Sequence, residues 1–531
     1  MLAFSPSAVP ALAVVVSAAV AFGGPDPAAA PAAGGLGDRG RSYAVVAAEG
    51  TLQHPGWKGV VDALRGKHAA RVFTYARGIE GPAHPGLKGL QAVLAEMRPD
   101  FVCFVARPDE LAATVEVRVQ APDGRATRMP FCGIFYHEAG ALMRSLGDGR
   151  FEHAQWAILT GASPADAIRV VLAEPLTVRS GLSHVGGGWL DEMESGVSFS
   201  ETNQGEKHVK ARGAPHRIVE GPKDTTGQYV QTLNSNKVDM VSSSGHATED
   251  DWEMGYSYKS GRIATASLIR GLPEPAPSKL RDLAAAPRPA AGTGRLFGLD
   301  TAGAIHPLAT NNPKVYYAVG NCLIGRVSGD DCMLLGWIHH GAMQFFGHVG
   351  VQLRSCHAWG IAEYFLQLQG RFTFAEAVWL NRQALYLEEG RMNEEELRQK
   401  YLCCRNSQPL PAGGRLLWET AVLYGDPAWE ARLHPVREPL YDQAIERRPL
   451  PDGREELTFT ATMRRESLPT RPAAFLLPPA RVSDVEVGQG PQHLAVAGNL
   501  ALVPFWHAGD PVPPAGKVFK AVVYLKRRPL R

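Results

Sequence analysis

Residues 237–252 read KVDMVSSSGHATEDDW, and residues 314–332 read KVYYAVGNCLIGRVSGDDC. Each begins with a short run rich in Val, Met, Tyr and Ala that reads as a buried strand. Each run ends in small residues, SSSG in the first and VGN in the second. Each then presents one reactive side chain, His246 in the first and Cys322 in the second. Two neighbouring parallel strands ending this way would bring an imidazole and a thiol to the carboxyl edge of a sheet, where open α/β sheets place their sites. An imidazole beside a thiol can take its proton or stabilise the thiolate, which is the minimum for thiol nucleophilic catalysis.

Upstream, the pattern alternates. Residues 43–48 (YAVVAA), 71–75 and 101–106 (FVCFVA) read as strands, and 56–66 and 87–97 as helices. Such alternation predicts a parallel sheet with helices on its faces. Cys103 sits inside an apolar strand and reads as a core residue. AILTG at 157–161 is another strand, followed by a helix with Ser163 as N-cap and Pro164 at its first position. Residues 180–227 are rich in Gly and polar side chains, and read as a long functional loop region. The Gly186–Gly188 triplet lacks the Lys-Ser/Thr that a phosphate cradle needs.

Residues 271–294 (GLPEPAPSKLRDLAAAPRPAAGTG) form a Pro- and Ala-rich excursion between the two key strands. Residues 333–346 read as a helix running into a buried strand. Residues 359–368, 374–387 (N-capped by Thr373) and 394–402 read as helices. The segment 418–429, WETAVLYGDPAW, reads as a helix closed by a Gly-Asp-Pro turn. From residue 438 short alternating runs at 456–463, 473–477, 494–504 and 518–524 predict a small all-β module.

Composition sets bounds. A chain of 531 residues exceeds one core, so several domains are expected. The division read here is 1–41 leader and linker, 42–150 an N-terminal α/β subdomain, 151–436 a catalytic α/β subdomain, and 437–531 a β-sandwich domain. The net charge of +2 argues against a nucleic-acid footprint. Seven cysteines cannot all pair within one chain, and the adjacent Cys403 and Cys404 have poor geometry for pairing with each other. Residues 11–22, ALAVVVSAAVAF, have signal-peptide length and carry an Ala19-Val20-Ala21 cleavage pattern. They predict export, to a secreted, periplasmic or cell-surface location, with no membrane span in the mature chain. Residues 25–40 read as a linker.

Other readings stay open at this level. Cys322 and His246 could be core residues. Cys332 is a second candidate nucleophile, although Asp330 and Asp331 before it would raise its pKa. His339, His340, His348 and His357 invite a metal reading, but no HExxH-type spacing is present.

With both motifs in view, the chain resembles the gingipain-type cysteine peptidases, of the same broad superfamily as caspases and legumains. VDMVSSSGHA and VYYAVGNC are similar to that family's strand ending in His-Gly and strand ending in the nucleophilic Cys. Gly245-His246 followed by Thr248, Glu249 and Trp252, then Cys332 after Cys322, GAMQFFG at 341–347 and YGDPA at 424–428, extend the resemblance over roughly residues 42–435. Ala247 stands where the family has Gly, and Asn321 where Ala is commoner.

The resemblance implies a caspase-like α/β fold, a parallel-sheet sandwich with helices on both faces, followed by an Ig-like module. It implies an exported cysteine endopeptidase acting on protein or peptide substrates without a cofactor. A structural calcium is not readable from the sequence. Cys322 would attack the peptide carbonyl and His246 would protonate the leaving amine. The backbone N–H groups of Ala247 and Cys322 would bind the oxyanion, with Gly245, Glu249 and Asn321 in support. A pocket for basic side chains would need a buried carboxylate, and Asp191, Glu192, Glu194 and Asp224 lie upstream of His246. The alternatives are an inactive homologue acting as a binding or surface protein, and a different α/β hydrolase.

Overall fold

Apolar runs of five or six residues cannot span a helix, but they fill a sheet buried on both faces. YAVVAA, FVCFV and QWAIL do this, with every residue buried. The computed structural model describes residues 41–529, except 77–85, 113, 121–125, 133, 147–150, 272–295, 351–355, 392–420 and 508. The leader, the 25–40 linker, the 394–402 helix, nearly all of the 271–294 excursion, and Cys403 and Cys404 lie outside the described residues.

The chain is α/β, built on a twelve-stranded, mostly parallel sheet. From one edge its strands are Arg217–Glu220, Glu206–Lys210, Ser195–Phe199, Ser180–His184, Met240–Ser243, Lys314–Ala318, Ala342–His348, Ala421–Gly425, Gln155–Leu159, Phe101–Val105, Tyr43–Ala48 and Arg71–Tyr75. Neighbours run parallel except at three pairings. Ala342–His348 is antiparallel to Ala421–Gly425, and Glu206–Lys210 is antiparallel to both of its neighbours. The sheet is therefore two parallel blocks of opposite direction. The carboxyl edge of the block holding Cys322 is the amino edge of the block holding Phe101.

Successive strand side chains point to opposite faces, and the cysteine strand shows what covers each. Tyr316 packs on Trp337 of the Met333–His339 helix, with ring centroids 4.5 Å apart. Its neighbour Tyr317 packs against Phe374 of the Phe374–Glu389 helix at 6.2 Å. Helices thus cover both faces. The second of these helices carries the N-cap expected at Thr373, and the structure adds a capping box: Thr373 accepts from the Glu376 N–H while Glu376 accepts from the Thr373 N–H.

Two expectations fail. Residues 180–227 hold four strands of the main sheet. The outer two, Glu206–Lys210 and Arg217–Glu220, are charged and partly exposed, which blunts further pairing at the edge, while Ser180–His184 is buried but built of small and polar residues. Residues 421–425 are a buried strand and not a helix, because AVLYG completes the sheet beside Ala342–His348.

The Asp426 that follows is a buried hub. It accepts from the Tyr43 hydroxyl (2.9 Å), Lys67 Nζ (3.2 Å) and the Ala428 N–H (3.0 Å), and pairs with His68 Nε2 (2.7 Å). Burial opposes its ionisation, but His68, Lys67 and the Ala428 N–H outweigh that and hold its carboxyl below the usual range.

Beyond residue 440 the chain forms two small antiparallel sheets, one of four strands and one of three. They meet through Phe459 and Phe475, with ring centroids 5.0 Å apart. Among the described residues, no helix is long and apolar enough to cross a membrane.

Candidate active site

The Met240–Ser243 and Lys314–Ala318 strands are direct parallel neighbours, with Ser243 opposite Ala318. The Val319 N–H still bonds the Ser243 carbonyl at 2.8 Å, so the pairing persists as both chains leave the sheet. His246 comes three residues after one strand and Cys322 four residues after the other. The sheet therefore delivers both to the same stretch of its carboxyl edge, with adjacent strands about 4.8 Å apart.

Asn321 ties the two loops. Its Oδ1 accepts from Ser243 Oγ at 2.6 Å, and its Nδ2 donates to the Gly245 carbonyl at 3.2 Å. Ser243 Oγ also lies 2.8 Å from the Tyr316 hydroxyl. The residue before Cys322 is thus bonded to the residue before His246. Gly245 has φ +102°, and a Cβ there would sit 3.1 Å from the Glu253 carbonyl, so the turn requires glycine. Trp252 holds the same loop by donating its indole N–H to the Ser244 carbonyl at 2.6 Å.

After His246 the chain folds back as a tight hairpin. The Glu253 N–H bonds the His246 carbonyl, and the Thr248 N–H bonds the Asp251 carbonyl, both at 2.8 Å. Ala247 and Trp252 between them are a non-hydrogen-bonded antiparallel pair. In such a pair the N–H points away from the partner, so the Ala247 N–H faces out of the hairpin. On the other loop, Leu323 directly after Cys322 has φ +56°. A branched residue in the left-handed region costs roughly 1–2 kcal/mol. The turn is held by the Leu323 N–H on the Gly350 carbonyl and the Arg326 N–H on the Leu323 carbonyl.

His246 is exposed and Cys322 is a partly buried thiol. The Tyr256 ring, itself 62% exposed, lies over the His246 ring at 5.5 Å between centroids. Among the described residues no carboxylate pairs with His246. Glu249 goes elsewhere: its carboxylate lies 3.9 Å from Arg326 on the cysteine loop, and its carbonyl accepts from the Met333 N–H. Glu249 thus fastens the two loops and does not orient the imidazole. The adjacent Asp250 is pushed up to about 6 by burial and by Glu249, Asp331 and Asp251.

The other candidates separate clearly. Cys332 is fully buried and its thiol is pushed up to about 12, chiefly by burial. Cys103 is likewise buried and raised. His339 pairs with Asp166 at 3.2 Å, and buried His340 contacts the Thr310 carbonyl at 3.2 Å. His348 is buried at the end of its strand, and the His357 side chain lies outside the description. No group of three or more His, Cys, Asp or Glu among the described residues could hold a metal ion.

The four upstream carboxylates are each engaged. Asp191 pairs with His216, Glu192 with Arg465, and Glu194 with Arg179. Asp224 accepts from the Thr226 and Thr301 N–H groups. The sequence reading missed Glu201. Its carbonyl accepts from the Tyr256 N–H at 2.6 Å, and its carboxyl is raised by burial, against a hydrogen bond from Ser244 that lowers it. No sequence signal singles it out, since it lies in a polar turn 45 residues before His246.

Compared with protein-family models, with curated proteins and with solved structures, the chain matches none.

Proposed function

We propose that the chain is an exported cysteine endopeptidase with a caspase-like catalytic fold of gingipain type and an Ig-like carboxyl-terminal module. The observation that carries this reading is the Asn321 bridge, which joins the loop of Cys322 to the loop of His246 at the carboxyl ends of adjacent parallel strands.

In the proposed reaction the Cys322 thiol gives its proton to His246, and its sulfur attacks the peptide carbonyl carbon. The oxyanion accepts from the Cys322 and Ala247 N–H groups. A donor of this kind contributes about 2.7–4 kcal/mol. Imidazolium His246 then protonates the leaving amine as the C–N bond breaks, leaving a thioester on Cys322. Water, deprotonated by His246, attacks that ester and releases the acid and the thiol. Tyr256 covers the His246 ring, and its N–H is held by the Glu201 carbonyl.

One observation favours a second reading, a binding protein on the same fold without catalysis: among the described residues no carboxylate pairs with the His246 ring. An acyloxymethyl-ketone probe library, read by mass spectrometry of the modified peptide, separates the two. The catalytic reading expects covalent labelling at Cys322, lost in Cys322→Ala and at least a hundredfold slower in His246→Ala. Folded full-length protein that no probe labels at Cys322 would sink it.

A further inference from the structure

A cleft of about 330 Å³ lies at the seam between the α/β part and the carboxyl-terminal sheets, away from Cys322. One wall is Arg98, His153 and Trp379, and the other includes Arg481, Val496 and Asn499. Arg98 caps the Gln91–Met97 helix in the left-handed conformation, with φ +48°. His153 lies two residues before the strand Gln155–Leu159. These positions are at the amino edge of their block, which is the sheet edge that carries Cys322 in the other block.

The cleft holds polar donors that lack a partner. The Arg98 Nε–H and the Trp379 indole N–H are buried without an acceptor among the described residues, and Trp379 is only 2% exposed. Both groups can only donate. Neither Arg98 nor Arg481 forms an ion pair with a carboxylate among the described residues. The one carboxylate in the lining, Glu152, is already taken by the Tyr386 hydroxyl (3.1 Å), Gln383 Nε2 (3.3 Å) and Arg382 Nε (3.4 Å). Two guanidiniums are therefore brought together with unmatched donors beside them. The chain bears the repulsion: burial, and then Arg481, lower the Arg98 pKa, and burial followed by Arg98 brings His153 down to about 4. A buried donor left without an acceptor costs about 1–3 kcal/mol, and an anionic acceptor removes that cost and the repulsion together.

We propose that this seam cleft binds a small molecule bearing an oxyanion, a carboxylate or a phosphate, held between Arg98 and Arg481 with the Trp379 indole N–H as a further donor. The apolar walls, Phe151, Val482 and Leu500, fit a compact organic body behind the charged group. The ligand would join the two parts of the chain, because its partners come from both.

The test uses the full chain and follows thermal unfolding in separate titrations of inorganic phosphate and succinate, with chloride holding ionic strength constant. Excluded salts stabilise proteins without saturating, so the expected signature is a saturable rise in Tm. That rise should weaken at least tenfold in apparent affinity in Arg481→Gln, whose side chain is exposed. Arg98→Gln should do the same, and Arg448→Gln, on a distant strand, should leave it unchanged. Stronger saturation by phosphate assigns a phosphate ligand, and stronger saturation by succinate a carboxylate. A response that does not saturate for either anion, or that Arg481→Gln leaves unaltered, overturns the proposal. Should Arg98→Gln fail to fold, Arg481→Gln decides alone.

Discussion

Asn321 Nδ2 donates to the Gly245 carbonyl across 3.2 Å, and this bond makes one structure of two loops that are 76 residues apart in the chain. Asn321 is fully buried, so both ends of its side chain must be satisfied inside the protein. Where the family resemblance expects Ala, this chain has a residue that can hold the histidine loop against the cysteine loop.

Asn321→Ala should therefore affect chemistry more than binding. We expect kcat to fall at least tenfold with KM changed less than threefold, and stability to fall by about 1–3 kcal/mol from the unmatched Gly245 carbonyl and Ser243 hydroxyl. Asn321→Asp can still accept from Ser243 but cannot donate to Gly245, and should lie between the two. Steady-state kinetics and urea unfolding check both. Equal kcat in all three proteins would show that the bridge is structural only.

Gly245→Ala places a Cβ 3.1 Å from the Glu253 carbonyl at φ +102°. It should cost about 1–3 kcal/mol and displace the His246 carbonyl from the Glu253 N–H. The measurements are unfolding free energy and the rate of probe labelling at Cys322, and both should decrease.

Asp426→Asn keeps the shape of the hub and removes the charge that faces His68 and Lys67. Breaking a buried pair in this way costs about 3–5 kcal/mol. The folded pKa of Asp426 is depressed, so its contribution is present above the unfolded value and lost as pH falls through the folded one. In the Asp426→Asn variant that part of the acid sensitivity should disappear, which urea unfolding between about pH 5 and pH 3 reads directly.

His153, His184 and His340 are each brought down to about 4, in every case first by burial. Between pH 6.5 and pH 4 the unfolded chain binds more protons at these sites than the folded one, so they lose stability as pH falls. Asp250 opposes them, since its raised value, about 6, makes the folded state bind the extra proton over part of the same window. The net slope should be roughly 1–3 kcal/mol per pH unit, with stability falling towards acid. His184→Phe, which keeps the aromatic packing beside Phe199 and Trp252, should reduce that slope by up to about 1.4 kcal/mol per pH unit. A flat pH profile in the native protein would contradict the burial of these imidazoles.

The α/β character, the runs at 43–48 and 101–105, and the strands leading to His246 and Cys322 are legible in the sequence, because burial on both faces of a sheet demands short continuous apolar runs, and the edge strand at 71–75 is legible from its Val, Phe, Thr and Tyr. The Thr373 N-cap is legible for a local reason, and the Thr-x-x-Glu spacing to Glu376 is the sequence form of the capping box that the structure shows. The strands at 180–220 are not legible: the outer two lie at or next to the sheet edge, where charge replaces the apolar signal, and Ser180–His184 is buried with mostly small and polar side chains.

The remaining features depend on how distant elements close together. That closure turns the Gly-Asp-Pro aspartate from a turn residue into a hub for Tyr43, Lys67 and His68. It takes Glu249 away from His246 to Arg326, and buries Lys314 with its Nζ on the Asn312 and His340 carbonyls. It sets Arg98 and Arg481 in one cleft although nearly four hundred positions separate them in the chain. Periodicity records which face of an element is apolar. It carries no record of which polar groups meet when the elements pack, and those meetings define the candidate sites of this protein.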